Sequence, residues 1–72
     1  MKPGDVRIDS DAIRRLRKDR VLSQRELART AGVTHATVWR LENGFDLARP
    51  STVRKLAAAL GVEPRELARE GG

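Results

Sequence analysis

The sequence has no cysteine and no tyrosine, and only one phenylalanine, one tryptophan, one methionine and one histidine among its 72 residues. Without cysteine there is no disulfide, no thiolate nucleophile and no cysteine-bound zinc. A lone His35 gives no basis for a histidine metal site, so no metal and no cofactor are expected. With Trp39 and Phe45 as the only aromatic residues, a core has to be built from Leu, Val, Ile and Ala. That composition suits packed helices better than a sheet. There is no run of about 18 apolar residues, so no membrane span is expected. The start, "MKPGDVRIDSD", lacks the apolar stretch of an export signal, and the cytoplasm is the expected compartment.

What is present is charge. Charged residues make up 35% of the chain, the formal net charge is +5, and twelve of the fifteen cations are arginine. Arginine carries a planar donor fork that matches phosphate and guanine edges. A small, basic, arginine-rich chain fits a polyanionic partner, with nucleic acid ahead of a membrane surface. The other reading of the same charge is a solvated basic surface. The length permits one small domain.

The punctuation of the chain predicts five short helices behind an N-terminal arm. Residues 1–8 hold Pro3 and Gly4 and no clear period, and read as a flexible arm; residues 9–72 form the domain. The first helix runs over Asp11 to Arg20, capped by Ser10 or Asp9, with Ala12, Ile13 and Leu16 as its inner stripe. Arg14, Arg15 and Lys18 form a charge run on its outer face, most of it solvated. The second helix opens at "SQRE", where Ser23 and Glu26 have capping-box spacing and Leu22 and Leu27 have staple spacing. Leu27, Ala28 and Ala31 face inward, and Gly32 stops the helix.

The third helix, residues 34–43, is capped by Thr34, buries Val38 and Leu41, and ends at Gly44. The fourth begins near "RPST" with Pro50 in its first turn. Val53, Leu56, Ala57 and Leu60 then follow the i, i+3, i+4, i+7 pattern up to Gly61. A fifth helix is expected from "VEPREL", with Pro64 and Glu66 in its first turn and a Val62–Leu67 staple, fraying into Gly71 and Gly72. None of these helices is long enough to be stable alone, so they have to share one core. The expected fold class is all-α, a five-helix bundle.

Two helices joined by a short turn containing glycine form a helix-turn-helix corner. In that geometry the first helix braces against the DNA backbone and the second offers its N-terminal residues to the major groove. Residues 35, 36, 39, 40 and 43 share one face of the third helix, opposite Val38 and Leu41. Arg40 can donate two hydrogen bonds to a guanine, Ala36 can touch a thymine methyl, and His35 can donate or accept. Trp39 is read as covering the core edge or the gap beside the second helix, with a base-contacting wedge as the alternative.

The stretch "SQRELARTAGVTHATVWRLENG" followed by "RPSTVRKLAAALGV" resembles the lambdoid-phage repressor and Cro type of helix-turn-helix, the XRE family, over residues 11–70. The resemblance implies a lambda-repressor-like bundle and roles by position. His35, Ala36, Thr37 and Arg40 would meet bases. Gln24, Arg25, Thr34, Asn43 and Arg49 would meet phosphates, with Gln24 also steadying the first recognition residue. Arg17 and Glu42 would form a buried ion pair tying the first helix to the end of the third. One departure is "GFDLARP", where acidic Asp46 weakens a phosphate-binding reading, and where Phe45 and Leu47 either fold onto the core or meet a partner.

The function implied is a sequence-specific DNA-binding transcriptional regulator, in repressor form. It would act as a homodimer on a pseudo-palindromic operator, with the fifth helix and its loop as the dimer surface. The rival is an antitoxin or accessory protein-interaction module of the same fold. An enzyme is not expected, because no nucleophile–base pair or metal cluster is legible.

Overall fold

Asp9, not Ser10, caps the first helix. Its carboxylate accepts a hydrogen bond from the Ala12 amide at 3.1 Å while its own backbone stays extended. The computed structural model describes residues 4–69. In chain order these form strand β1 (Val6–Arg7), helix α1 (Ser10–Asp19), helix α2 (Gln24–Ala31), helix α3 (His35–Glu42), strand β2 (Leu47–Ala48), helix α4 (Pro50–Leu60) and a 3-10 turn (Pro64–Glu66).

The helix boundaries follow local hydrogen bonding. Ser23 accepts from the Glu26 amide at 3.0 Å, and the Glu26 carboxylate accepts from the Ser23 amide at 2.8 Å, closing the capping box. Gly32 then takes φ +76°, a left-handed value that lets Val33 donate back to the Ala28 carbonyl at 2.9 Å. Thr34 caps α3 through the Thr37 amide at 3.1 Å. So α2, the turn Gly32–Thr34 and α3 form the expected corner.

The core sits between α1, α2, α3 and α4. Ile13, Leu27, Val38, Leu41, Val53, Leu56 and Leu60 are buried in it. These are the inner-stripe residues of each helix, so helical periodicity and burial agree.

Two expectations are corrected. Among the described residues the fold is mostly helical, with four helices, a two-residue antiparallel pair and one 3-10 turn in place of a fifth helix. The chain after Glu66 turns back along the N-terminal segment, where Ala68 bridges Ile8 and the Asp9 amide donates to the Leu67 carbonyl at 2.8 Å. These backbone bonds end the turn before a second helical turn forms.

The arm expected over residues 1–8 is, from Val6 onward, part of the fold. Val6 pairs with Ala48 and Arg7 with Leu47, and Ile8 is buried in the core. Two-residue strands carry no readable alternation, which is why this pairing has no sequence signature. Residues 1–3 of that arm and the expected fraying at Gly71 and Gly72 lie outside the described residues.

Candidate nucleic-acid interface

At 3.6 residues per turn, eight-residue α3 divides into two halves. Val38, Leu41 and Glu42 are buried, and Thr37 is half-buried at the edge. His35, Ala36, Trp39, Arg40 and Asn43 are exposed. The helix is therefore held by one flank and offers the other to a partner.

A chain of polar contacts runs from the interior to that outer flank. The Glu42 carboxylate is 2% exposed as a residue and receives Arg17 twice, Nε to Oε2 at 2.7 Å and Nη2 to Oε1 at 2.9 Å. This is the bidentate geometry that guanidinium and carboxylate favour. Arg17 Nη1 also donates to the Leu22 carbonyl at 2.8 Å, pinning the α1–α2 connection. Gln24 Nε2 donates to Glu42 Oε1 at 3.1 Å, and Gln24 Oε1 lies 3.1 Å from His35 Nε2. The two ends of one amide thus link the buried pair to the first residue of α3. Among the described residues no buried side-chain nitrogen or oxygen lacks a partner.

The electrostatics follow from this arrangement. Burial pushes the Glu42 carboxyl up, but the hydrogen bonds from Arg17 and Gln24 and the charges of Arg17 and Arg14 outweigh it. The net result holds Glu42 below the usual carboxylate range. The hydrogen bond to Glu42 raises Arg17 against the opposing effect of burial. Glu26 is also lowered, chiefly by the Ser23 backbone amide.

The residues expected to serve the site are distributed as follows. His35, Ala36 and Arg40 stand on the exposed flank of α3, and among the described residues the Arg40 guanidinium has no hydrogen-bond or ion-pair partner. Thr37 is turned aside, its hydroxyl 2.9 Å from that of Thr34. Arg25 is exposed near the start of α2, and Arg49 is exposed at the start of α4. Asn43 folds its amide back onto the Trp39 carbonyl at 2.7 Å, so part of its donor capacity ends the helix. Arg40 and Arg49 line one open cleft of about 600 Å³, together with Thr37, Phe45 and Thr52.

Trp39 is not part of the buried core cluster. It is 47% exposed and stacks on Phe45, with ring centroids 6.2 Å apart and planes 26° from parallel. Phe45 is 62% exposed and Leu47 is also exposed, so neither folds onto the core.

Two functional-looking residues have roles beyond the sequence reading. Arg14, taken as part of a solvated charge run, donates to the Glu42 backbone carbonyl at 3.1 Å and pairs with Asp11. It thereby serves the C-terminal end of α3, where cations complement the dipole. Asp46 pairs with Arg7 at 3.2 Å and with Arg69 at 3.4 Å, tying the loop to both ends of the described chain. The i, i+3 spacing of Asp11 and Arg14 was a usable signal; Asp46 had none.

Known proteins share this fold. The helix-turn-helix domain family matches residues 10–70. The HTH-type transcriptional repressor RghR of Bacillus subtilis is 40% identical over 53 residues, covering 72% of this chain and 39% of RghR. The chain therefore spans about two fifths of that curated relative. Among solved structures, the restriction-modification controller protein C.AhdI from Aeromonas hydrophila is 37% identical, with a TM-score of 0.75 over 79% of this chain and 86% of that one. A variant of hydroxyethylphosphonate dioxygenase is 29% identical with a TM-score of 0.80 over 92% of this chain, but only 14% of the dioxygenase is matched. By its capped corner, its buried Arg17–Glu42 pair and its match over residues 10–70, the chain belongs to the XRE-type helix-turn-helix domain family.

Proposed function

We propose that this chain is the DNA-reading domain of a sequence-specific transcriptional regulator, acting in the cytoplasm as a repressor by occupying an operator. The observation that carries the reading is the exposed flank of α3, where His35 is steadied by Gln24 and Arg40 is unpaired among the described residues. The relatives named as transcriptional repressor and controller protein support it. The net charge of +5 supplies the attraction to a polyanion that such a domain needs.

Gln24, Arg25, Thr34, Asn43 and Arg49 fix the register on phosphates, while His35, Ala36 and Arg40 meet base edges and half-buried Thr37, tied to Thr34, stands at their margin. A domain this small reads about four to six base pairs. Useful affinity therefore calls for a homodimer on a pseudo-palindromic site with half-sites ~34 Å apart.

The test is selection of bound DNA from a random pool, repeated at two salt concentrations. If a dimer neutralises roughly six to eight phosphates, log affinity falls with log salt at a slope of about −5 to −7. Arg40→Ala should relax preference at one base pair per half-site, while Gln24→Ala should weaken binding on all sequences and blur the position read by His35. A flat salt response, or a selection profile unchanged by Arg40→Ala, would sink the assignment.

A second reading is an antitoxin or accessory module whose main partner is a protein, and exposed Phe45 and Leu47 favour it. Association that persists after nuclease treatment, with no selected DNA motif, would replace the first reading by this one.

A further inference from the structure

The flank of α3 that faces outward has an indole at its centre. Trp39 lies one turn beyond His35, between the directions taken by His35 and Ala36, and immediately before Arg40. A helix that enters a groove with His35, Ala36 and Arg40 leading cannot keep Trp39 away from the duplex. The indole is not spent on the core, and among the described residues its Nε1–H has no acceptor. Its one aromatic neighbour is Phe45, itself exposed, which stacks on it from the loop that follows Gly44. Stacking limits the freedom of the indole before any partner arrives, so less ordering remains for binding.

The surroundings narrow the occupant. Phe45, stacked on Trp39, and exposed Leu47 line the same cleft as Arg40 and Arg49; its acidic members are Asp5 and Asp46, the latter paired with Arg7 and Arg69. An apolar plate flanked by guanidinium groups fits a partner whose apolar groups lie between anionic ones. The major groove of duplex DNA has that layout, with phosphates along both walls. The apolar group that base pairs display there is the 5-methyl of thymine.

We propose that Trp39, braced by Phe45, is a specificity-determining residue that covers a thymine methyl beside the base met by Arg40. This rests on the DNA-reading role assigned to α3. It adds a thymine preference that the polar residues of the helix do not account for.

The experiment uses the DNA sites selected by the wild-type chain. Each is compared with a duplex carrying deoxyuridine only at the thymine beside the base met by Arg40, thymines within reach of Ala36 being left unchanged, for wild type, Trp39→Gln and Phe45→Ala, after circular dichroism confirms that each variant is folded. Wild type should lose about fourfold in affinity per contacted methyl, the value of one buried methylene. Trp39→Gln should bind the thymine site about tenfold more weakly and become indifferent to the methyl. Phe45→Ala, which leaves α3 untouched, should fall between them. Because Trp39 is the only tryptophan, its fluorescence should change on saturation with the selected duplex and not with an unselected one. Tight wild-type binding that is indifferent to uracil, or Trp39→Gln retaining the thymine sensitivity, overturns this proposal alone. Absence of any selected sequence overturns the DNA-reading role and this proposal with it.

Discussion

Val21 is the one described non-glycine residue with positive φ, at +55°, and it is 88% exposed. A β-branched side chain in the left-handed region crowds its own backbone, and an exposed one recovers nothing from packing. Val21→Gly should therefore stabilise the fold by about 1 kcal/mol, read as a rise of roughly 4–8 °C in thermal midpoint for a domain of this size. An unchanged or lower midpoint would show that the turn stores no strain.

Glu42 makes the opposite case, a residue whose cost is met only by its partners. Removing either member of the Arg17–Glu42 pair should cost roughly 3–5 kcal/mol, because the other is left largely buried without its counter-charge. The same geometry sets an acid limit. The folded-state pKa of Glu42 is depressed, so its contribution is fully present above the unfolded value of about 4.3 and is lost as pH falls through the lower folded value. Glu26 adds in the same direction. The thermal midpoint should hold steady from neutral pH down to that range and then fall; a midpoint that stayed level in stronger acid would contradict the sign.

The turn between α2 and α3 is short because glycine permits it. No atom outside its immediate chain neighbours lies within 4 Å of where a Cβ on Gly32 would stand, so the obstacle to a side chain is the backbone angle alone. Gly32→Ala should cost about 1–2 kcal/mol in chemical denaturation without any overpacking of the core. The helix that follows is set by its own cap at Thr34 and by the buried side chains Val38 and Leu41. Its orientation is set by two other elements, since Arg17 on α1 and Gln24 on α2 both hold Glu42 at its far end. A change in either of those helices is therefore felt at His35. Position by position, the helix-turn-helix corner was legible in caps and glycines, while the Arg17–Glu42 pair and the Gln24–His35 contact came from the family resemblance and the Gln24–Glu42 bond that joins them only from the fold.

The two ends of the described chain meet at one loop. Arg7, Ile8 and Arg69 all bond to Asp46 or its neighbours, and the Arg69 amide donates to the Arg7 carbonyl at 2.8 Å. Asp46→Asn weakens both exposed ion pairs, which are worth about 0–1 kcal/mol each, so global stability should barely move. Local opening should move more: amide exchange at Ile8 and Arg69 should quicken while the amides of α2 and α4 keep their protection. Equal acceleration everywhere would mean that the loop is coupled to the whole core. The folded chain has a radius of gyration of 10.8 Å. In so small a body the loop after α3, the cleft beside it and the N-terminal strand adjoin one another. The acidic residue that weakens a phosphate-binding reading of that loop is thereby already neutralised by two arginines.

Caps, helix stops and inner stripes could be read directly, because each depends on residues a few positions apart: Asp9 with Ala12, Ser23 with Glu26, Thr34 with Thr37, and the Val53–Leu60 stripe. Hydrogen bonds of that range are written in local order. The β1–β2 pair, the truncation of the last helix to a 3-10 turn, the partners of Asp46 and the service of Arg14 to Glu42 could not be read that way. Arg7 and Asp46 are 39 positions apart, and Arg14 and Glu42 are 28 apart. Such contacts exist only after packing the four helices has brought distant segments together. The exposure of Trp39 is of the same kind: helical spacing placed it among the outward residues, but only the path of the loop after Gly44 decided that Phe45, rather than the core, would be its neighbour.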